Sequence, residues 1–471
     1  MNKKETKLIL ERIQKWYNRL PALFIQDSQP LSAEFGWSKE PTPFSERLNL
    51  DYKPIKEGED WAKKWESAWF HLQGKVPENW AGKSIAAELD FSGEGLVFDS
   101  EGIAQQGITT GSIWDPNFSR TRVPLIDSCA GGEKIDLWVE AAANSLFGVF
   151  TDPDPVQESP KRHGWFDAKV DKMQVVIFDK ELWHLYLDVR ILLGLVKRLD
   201  EKSVRRSRAI LALNNCVNAF GDNLRRVKQA RECLKTELSK PATASDLNVA
   251  AIGHAHIDTG WLWPVRETVR KCARTYATQL SIIDDYPDYI FGASQPQHYQ
   301  FIKDNYPELY ERIKKAVKSG NWEAQGGMWV EADCNLISGE SMVRQLLHGK
   351  NFFKDEFGVD VDNLWLPDVF GYSAALPQIL KKSGINYFLT QKLSWSQFNE
   401  FPHHTFNWRG IDGTEILTHF PPENTYNSEL DTEFLIPARD SFKEKDQIDE
   451  FISLFGVGDG GGGPKPENIE L

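Results

Sequence analysis

The sequence predicts a multidomain protein with an N-terminal antiparallel β-sandwich, flanking helices, and a C-terminal α/β domain built on a mainly parallel sheet. Three observations lead to this fold class. The chain has 471 residues, more than one compact core usually holds. Residues 60–180 contain short runs of alternating apolar and polar residues, broken by glycine. From residue 246 the pattern changes to short apolar strands that alternate with amphipathic helical segments.

The N-terminal half divides into three predicted regions. Residues 1–59 hold a helix, in which Ile9 and Ile13 mark one apolar face, followed by a lead-in segment. Residues 60–180 are interpreted as the sandwich, because their predicted strands are short and separated by turn residues. Residues 181–245 contain longer apolar periodicities and are interpreted as a helical connector between the domains.

The remaining residues, 246–471, form the predicted α/β domain. The apolar run 247–252 is the first strand, and the helix after Pro264 carries apolar residues on one face. Strand and helix then alternate, which is typical of a parallel sheet. Ligands of such sheets bind beyond the carboxyl ends of the strands, so the residues that follow each strand are the first place to search for a site.

The composition and net charge of the chain limit which binding partners and which cellular compartment are expected. The chain is 41% hydrophobic and 26% charged, as in ordinary globular proteins, and its net charge is -13. This charge argues against nucleic acid or an anionic membrane as a partner. No apolar run is long enough to span a bilayer, and charges interrupt the opening residues, so no secretion signal is expected. Five scattered cysteines favour reduced thiols and a cytoplasmic protein. Whether the chain forms a homo-oligomer is left open.

Three predicted strand ends carry the residues that suggest chemistry. They are the segments 253–263, 326–335 and 364–373. The first contains His256 and Asp258, and an imidazole with a nearby carboxylate suits a borderline-soft divalent ion. Taken singly, such residues could equally be hydrogen-bonded loop residues or helix caps. Taken together, three strand ends with His, Asp, Glu and Trp indicate a metal-assisted site with aromatic walls.

These three segments resemble the signature blocks of glycoside hydrolase family 38, the class II α-mannosidases. The resemblance covers roughly 246–471, and the sandwich-plus-helix front end resembles the longer bacterial and cytosolic members. Within the sandwich, residues 76–83 and 94–99 resemble the jelly-roll domains attached to many glycosidases, which implies a jelly-roll-like sandwich. It implies a zinc-dependent retaining α-mannosidase that acts on mannose-containing oligosaccharides through a covalent mannosyl-aspartate intermediate.

The resemblance also implies a role for particular residues. His256 and Asp258 match the family's zinc-binding His-x-Asp pair, which implies one zinc ion per chain. Asp368 matches the residue that is both a zinc ligand and the catalytic nucleophile. Trp261 matches the aromatic residue that lines the mannose subsite. His254 has no matching metal role and is expected to support the site from behind the ligands.

The acid/base residue is assigned to Asp459. It lies in the glycine-rich block 456–464, which resembles a block of the bacterial relatives and whose glycines could let the backbone approach a sugar closely. A flexible turn is the alternative interpretation of this block. Glu331 and Asp333 compete for the role, but together with Trp329 they are assigned to substrate binding instead.

One part of the family pattern is missing. The fourth zinc ligand of the family is a histidine in a His-Asp motif further along the chain, and no His-Asp pair occurs in this sequence. Three of four expected ligands are therefore present, and we expect a fragment or truncated reading frame that lacks the family's C-terminal helical and β domains.

Two alternative functions follow. The first is a weakly active or inactive chain that only binds carbohydrate or acts as a scaffold, and the second is another metal-dependent hydrolase. Four further residues are expected to be structural: His403, His404, Trp408 and His419.

Overall fold

The N-terminal part of the molecule is a helix followed by two packed antiparallel sheets. The computed structural model describes residues 3–111, 119–148, 168–243 and 246–471. Helix α1 spans Lys3–Tyr17. The strands of this part are β1 Ile25–Pro30, β2 Ser32–Ser38, β3 Tyr52–Pro54, β4 Ser67–Lys75, β5 Ile85–Asp90, β6 Glu94–Phe98, β7 Ala104–Thr109, β8 Arg122–Ile126, β9 Lys134–Ala142 and β10 Lys172–Phe178.

The two sheets form a sandwich, as the alternating pattern predicts. One sheet has the order β1-β10-β5-β8 and the other β3-β2-β4-β9-β6-β7. A cluster of buried apolar side chains, including Phe70, Leu89 and Val139, fills the space between them. Burial of this apolar surface is the main favourable contribution to the stability of such a fold. The predicted sandwich is therefore confirmed.

The predicted start of the sandwich at residue 60 is wrong. Strands β1, β2 and β3 belong to its sheets, so the sandwich begins at Ile25. Strand β1 lies at a sheet edge, and all its residues after Ile25 are exposed. An edge strand of this kind needs no buried face, so its sequence lacks the apolar alternation on which the prediction depended.

Three helices follow the sandwich and pack with α1. They are α2 Lys180–Arg198, α3 Val204–Phe220 and α4 Val227–Leu238. Asp179 caps α2 and Ser203 caps α3, since each side chain accepts a hydrogen bond from a backbone N–H of the first turn. The buried residues Ile13, Leu185 and Leu213 join α1, α2 and α3 in one apolar cluster. The predicted boundary at residue 245 lies outside the described residues.

The C-terminal part alternates strands and helices. Its strands are β11 Asn248–His254, β12 Phe291–Ala293, β13 Trp322–Ala324, β14 Asn363–Leu366, β15 Tyr387–Thr390, β16 Thr405–Arg409, β17 Glu415–His419 and β18 Glu450–Phe455. Its helices are α5 Val265–Asp285, α6 Pro296–Asn305, α7 Pro307–Ser319, α8 Gly339–Phe357, α9 Leu376–Lys382, α10 Thr432–Ser441 and α11 Pro466–Glu470.

These strands form two four-stranded sheets, which confirms the prediction of a mainly parallel α/β domain. The first has the order β13-β12-β11-β18 and is parallel throughout. The second has the order β14-β15-β17-β16, in which only β16 is antiparallel. Within the described residues, no helix combines the length and the apolar character that a membrane span requires.

Candidate active site

Four polar side chains that follow different strands converge at one place. His256 and Asp258 follow β11 in the first sheet, and Asp459 follows β18, the neighbour of β11. Asp368 follows β14, which belongs to the second sheet. One potential ligand atom from each of the four lies within 4.8 Å of the others. The carboxyl ends of strands from both sheets thus build a single cluster, as expected for parallel sheets.

His256 lies at the centre of this cluster. Its side chain is 3% exposed, and its Nε2 lies 3.4 Å from Oδ1 of Asp258 and 3.3 Å from Oδ2 of Asp368. Among the described residues, neither ring nitrogen has a partner in hydrogen-bond geometry. Burial by itself would lower the pKa of His256, but Glu331, Asp258 and Asp368 raise it well above its ordinary value. The surrounding carboxylates therefore favour a positive charge at this point.

Glu331 approaches His256 from the other side of the imidazole ring. Its Oε2 lies 3.1 Å from Nδ1 of His256, and its side chain is 6% exposed. Ser294 donates a hydrogen bond from Oγ to Oε1 of Glu331, at 3.1 Å. The backbone N–H of Glu331 donates to Oε1 of Gln295, a residue in the left-handed region with φ of 66°. Glu331 thus lies behind His256, and its assignment to sugar hydroxyls stays a prediction.

Lys392 completes the surroundings of Asp368 and was not found from the sequence. Its Nζ lies 2.7 Å from Oδ1 of Asp368 and 3.4 Å from the ring centre of Trp395. Burial would raise the pKa of Asp368, but His256 and Lys392 outweigh it and lower the pKa. Lys392 follows β15, so the search of strand ends could have included it. The end of β15 carries no His, Asp or Glu, and it is not one of the three segments that suggested chemistry.

Asp459 is held by its backbone and by Tyr426. The residue lies in the left-handed region with φ of 61°, and its carbonyl oxygen accepts a hydrogen bond from the N–H of Asp258. Tyr426, which follows β17, donates its OH to Oδ1 of Asp459 at 2.5 Å. Burial raises the pKa of Asp459, and the carboxylates of Asp368 and Asp258 raise it further. A buried carboxyl with a raised pKa is suited to proton transfer.

The two predicted aromatic residues have different surroundings. Trp261 is 49% exposed, and its ring meets those of Phe147 and Trp263 edge to face at 6.0 and 5.9 Å. Trp329 packs its ring against Phe352 of α8, at 5.7 Å. Trp261 therefore presents an accessible aromatic face on the same loop as Asp258, whereas the role of Trp329 in substrate binding stays a prediction.

Asp333 and His254 make local contacts. Oδ1 of Asp333, an exposed residue, accepts hydrogen bonds from the backbone N–H groups of Asn335 and Leu336 and so stabilises a turn. Nδ1 of His254 lies 3.3 Å from the carbonyl oxygen of Gly292, and Trp365 donates to its Nε2 at 3.5 Å. Burial lowers the pKa of His254 to about 3, so the ring is neutral. These contacts agree with a supporting role for His254.

The four-residue cluster fits a metal ion such as zinc. It offers one imidazole nitrogen and carboxylate oxygens from Asp258, Asp368 and Asp459, which are ligands that zinc accepts. The sequence alone suggested three donors, and the structure brings these three together next to Asp459. A buried histidine without a hydrogen-bond partner among the described residues also suggests a group that is bound there.

Comparison with known proteins identifies the family. Residues 246–471 match the family described as "Glycosyl hydrolases family 38 N-terminal domain". Residues 29–174 match "Alpha-mannosidase, jelly roll domain", in agreement with a sandwich that begins near Ile25. Residues 246–471 belong to glycosyl hydrolase family 38. The resemblance inferred from the strand-end motifs is thereby confirmed.

Curated relatives match almost the whole chain. Alpha-mannosidase G of Dictyostelium discoideum is 38% identical over 99% of this chain and 43% of its own length. Alpha-mannosidase 2C1 of Homo sapiens is 36% identical over 98% of this chain and 44% of its own length. The chain thus spans less than half the length of these relatives. A solved alpha-mannosidase from Enterococcus faecalis gives a TM-score of 0.41 and 20% identity over 48% of this chain and 26% of that chain, too low a similarity to bear on the site.

Proposed function

We propose that the protein is a zinc-dependent retaining α-mannosidase that removes terminal α-linked mannose from oligosaccharides. The observation that carries this proposal is the convergence of His256, Asp258, Asp368 and Asp459 in a member of glycosyl hydrolase family 38. Retaining glycosidases need two carboxyl groups about 5–5.5 Å apart. The clustering of Asp368 and Asp459, with oxygen atoms within 4.8 Å, is consistent with that requirement.

Zinc would be held by His256, Asp258 and Asp368. When bound, it would supply positive charge that grips sugar hydroxyls and keeps the carboxylates ionised. Lys392 supports the same state of Asp368, since its ammonium lies 2.7 Å from Oδ1. An ionised carboxylate is the form that acts as a nucleophile. Trp261 would stack on the apolar face of the mannose ring with its exposed surface.

The two carboxyl groups have complementary tasks. A carboxylate oxygen of Asp368 attacks the anomeric carbon, the bond from that carbon to the leaving oxygen breaks, and the Asp459 carboxyl gives that oxygen its proton. In the second half, Asp459 takes a proton from water. The resulting hydroxide oxygen attacks the anomeric carbon and releases Asp368. The raised pKa of Asp459 and the lowered pKa of Asp368 fit these opposite roles.

We further propose that the enzyme works in the cytoplasm. All five cysteines are free thiols, as expected of a protein from a reducing compartment. Mannose-containing oligosaccharides in that compartment are then the proposed substrates.

The stereochemistry of the first product tests the proposal. Proton NMR during hydrolysis of an aryl α-mannoside should record α-mannose as the first product, with β-mannose appearing only as the sugar equilibrates. The matching aryl β-mannoside should not be cleaved, and a chelator should abolish the reaction. Release of β-mannose first would indicate an inverting enzyme and contradict the assignment of Asp368. Cleavage that persists with the chelator would contradict the zinc site.

A further inference from the structure

The sandwich domain reaches into the active site through a short tip, residues 144–148, which follows β9. Leu146 and Phe147 in this tip are buried, at 1% and 0% exposed. They form a small apolar cluster with Leu262 and Val457. These two partners come from the loop after β11 and the loop after β18, so the tip packs against both loops.

Both loops carry residues of the proposed site. The loop after β11 contains Asp258 and Trp261, and the loop after β18 contains Asp459. Phe147 meets the ring of Trp261 edge to face, with 6.0 Å between ring centres and an angle of 82°. Trp261 is half exposed while Phe147 is fully buried, so the sandwich provides a wall behind the aromatic face that the sugar would use.

The tip contacts both loops through its backbone. A methyl group added to Gly148 would lie 2.0 Å from the carbonyl oxygen of Leu262. A methyl group added to Gly460 would lie 2.2 Å from the carbonyl oxygen of Leu146. Non-bonded atoms cannot approach so closely unless the backbone moves. Glycine is therefore needed at both places where the tip touches the loops after β11 and β18. Any movement of the tip would be transmitted directly to both loops.

A buried ion pair between the α/β domain and the sandwich fixes the tip. Lys271 on α5 donates a hydrogen bond from Nζ to the carbonyl oxygen of Leu146 and pairs with Oε2 of Glu94, both at 2.7 Å. Asn144 also donates to Oε2 of Glu94, at 2.8 Å. The side chains of Lys271 and Glu94 are 0% and 3% exposed. Breaking such a pair leaves a buried charge uncompensated, so the tip has a defined position relative to α5.

We propose that the tip 144–148 is a positioning element of the active site. It holds in place the loop of Asp258 and Trp261 and the loop of Asp459, which are themselves joined by the hydrogen bond from the N–H of Asp258 to the carbonyl oxygen of Asp459. This inference rests on the proposed function, because it assigns the sandwich a part in binding zinc and mannose. Phe147 and Gly148 are its positioning residues. The sandwich then does more than cover the α/β sheet: sugar and metal affinity both depend on its tip.

A matched pair of glycine variants tests this role. Gly148 and Gly82 both belong to the sandwich domain, and their φ angles are nearly equal, at 79° and 77°. An added methyl group at Gly82 meets no atom within 4 Å, whereas at Gly148 it meets Leu262. Gly148→Ala and Gly82→Ala therefore introduce similar backbone strain, but only Gly148→Ala separates the tip from the loop. The affinities for methyl α-mannoside and for Zn²⁺ are measured by calorimetry in both variants and the unchanged protein.

We expect Gly148→Ala to weaken both affinities at least about tenfold, because small displacements of positioned groups are costly in such sites. Gly82→Ala should leave both affinities unchanged while lowering the melting temperature. Equal affinities in the two variants would overturn the inference. If Gly148→Ala does not fold, Phe147→Leu replaces it, with Phe91→Leu in the sandwich core as its control. We then expect Phe147→Leu to bind methyl α-mannoside more weakly than the unchanged protein, and Phe91→Leu to bind it equally well. Equal affinities in the two variants would overturn the inference. Failure of the unchanged protein to bind methyl α-mannoside would instead overturn the proposed function, and this inference with it.

Discussion

Lys392 and Asp368 form a buried ion pair, in which Nζ lies 2.7 Å from Oδ1 and the two side chains are 5% and 14% exposed. The other carboxylate oxygen of Asp368 lies 3.3 Å from Nε2 of His256. Asp368 thus has a different basic group close to each of its oxygens. Basic groups at such distances favour the ionised carboxylate before substrate arrives, and an ionised carboxylate is what a nucleophile requires.

Replacing Lys392 tests this arrangement. Lys392→Met should lower kcat/KM for an aryl α-mannoside by about 100-fold or more, since a preorganised charge next to the reacting group is lost. Lys392→Arg keeps the charge and should recover part of the activity. Lys382→Met, a change at an exposed lysine of α9, is the control and should leave kcat/KM unchanged. Full activity in Lys392→Met would show that Lys392 does not contribute to the reactivity of Asp368.

Asp459 is expected to matter most for poor leaving groups. In Asp459→Asn the proton donor is absent, so hydrolysis of an alkyl or disaccharide α-mannoside should fall by about 100-fold or more. An aryl mannoside with an acidic phenol leaves without that proton, and its first step should be affected far less. Comparison of kcat/KM across leaving groups of graded acidity checks this. An equal loss for all leaving groups would indicate that Asp459 serves as a metal ligand instead of the acid.

Glu331 is expected to orient His256 for metal binding. Its Oε2 lies 3.1 Å from Nδ1 of His256, which leaves Nε2 directed at Asp258 and Asp368. Carboxylates in this position commonly change metal affinity by about 10–100-fold. Glu331→Met should therefore weaken Zn²⁺ affinity by that factor, measured by competition with a coloured chelator. Glu356→Gln on α8 removes a negative charge elsewhere and should bind Zn²⁺ as the unchanged protein does. Equal affinity in the two variants would contradict the role of Glu331.

His419 is expected to make the protein less stable in acid. Its Nε2 accepts a hydrogen bond from the N–H of Ile452, and its Nδ1 lies 2.8 Å from Oγ1 of Thr405. Burial lowers the pKa of His419 to about 4 from 6.5. Between these values the unfolded chain binds a proton that the folded protein does not, so the contribution to stability is complete above pH 6.5 and is lost as the pH falls toward 4.

The effect can be isolated by comparing variants in urea. Between pH 7 and pH 5 the free energy of unfolding should fall less in His419→Gln than in the unchanged protein, by on the order of 1 kcal/mol. The exposed His403 provides the control, and His403→Gln should behave as the unchanged protein does. The same loss of stability in His419→Gln as in the unchanged protein would contradict the assignment.

The sequence predicts the sandwich, the parallel sheet and the candidate ligands at strand ends because each depends on local patterns. Residues such as His256, Asp258 and Asp368 come shortly after apolar strands. In parallel sheets the carboxyl ends of the strands lie at the same edge, so residues that follow different strands are expected to meet there. The start of the sandwich was missed because β1 is a polar edge strand with no buried face to leave a pattern.

Other features of the site depend on tertiary packing and leave little trace in the sequence. Lys392 and Tyr426 carry no metal-ligand signature, and only the folded chain brings them to Asp368 and Asp459. Trp329 is near Glu331 in the chain, yet its ring packs on Phe352 of α8. Neighbouring residues of an irregular loop can point in different directions, and no periodicity predicts which of them faces the site.

The most direct test of the account is to measure zinc content and α-mannoside hydrolysis together in this chain and in its Asp368→Ala variant. We predict that the chain binds one zinc ion and releases the chromophore of an aryl α-mannoside, and that Asp368→Ala binds zinc more weakly and releases none. Hydrolysis by the unchanged chain after complete removal of zinc, or turnover retained in Asp368→Ala, would contradict the claim that this cluster is a zinc-dependent glycosidase site with Asp368 as its nucleophile.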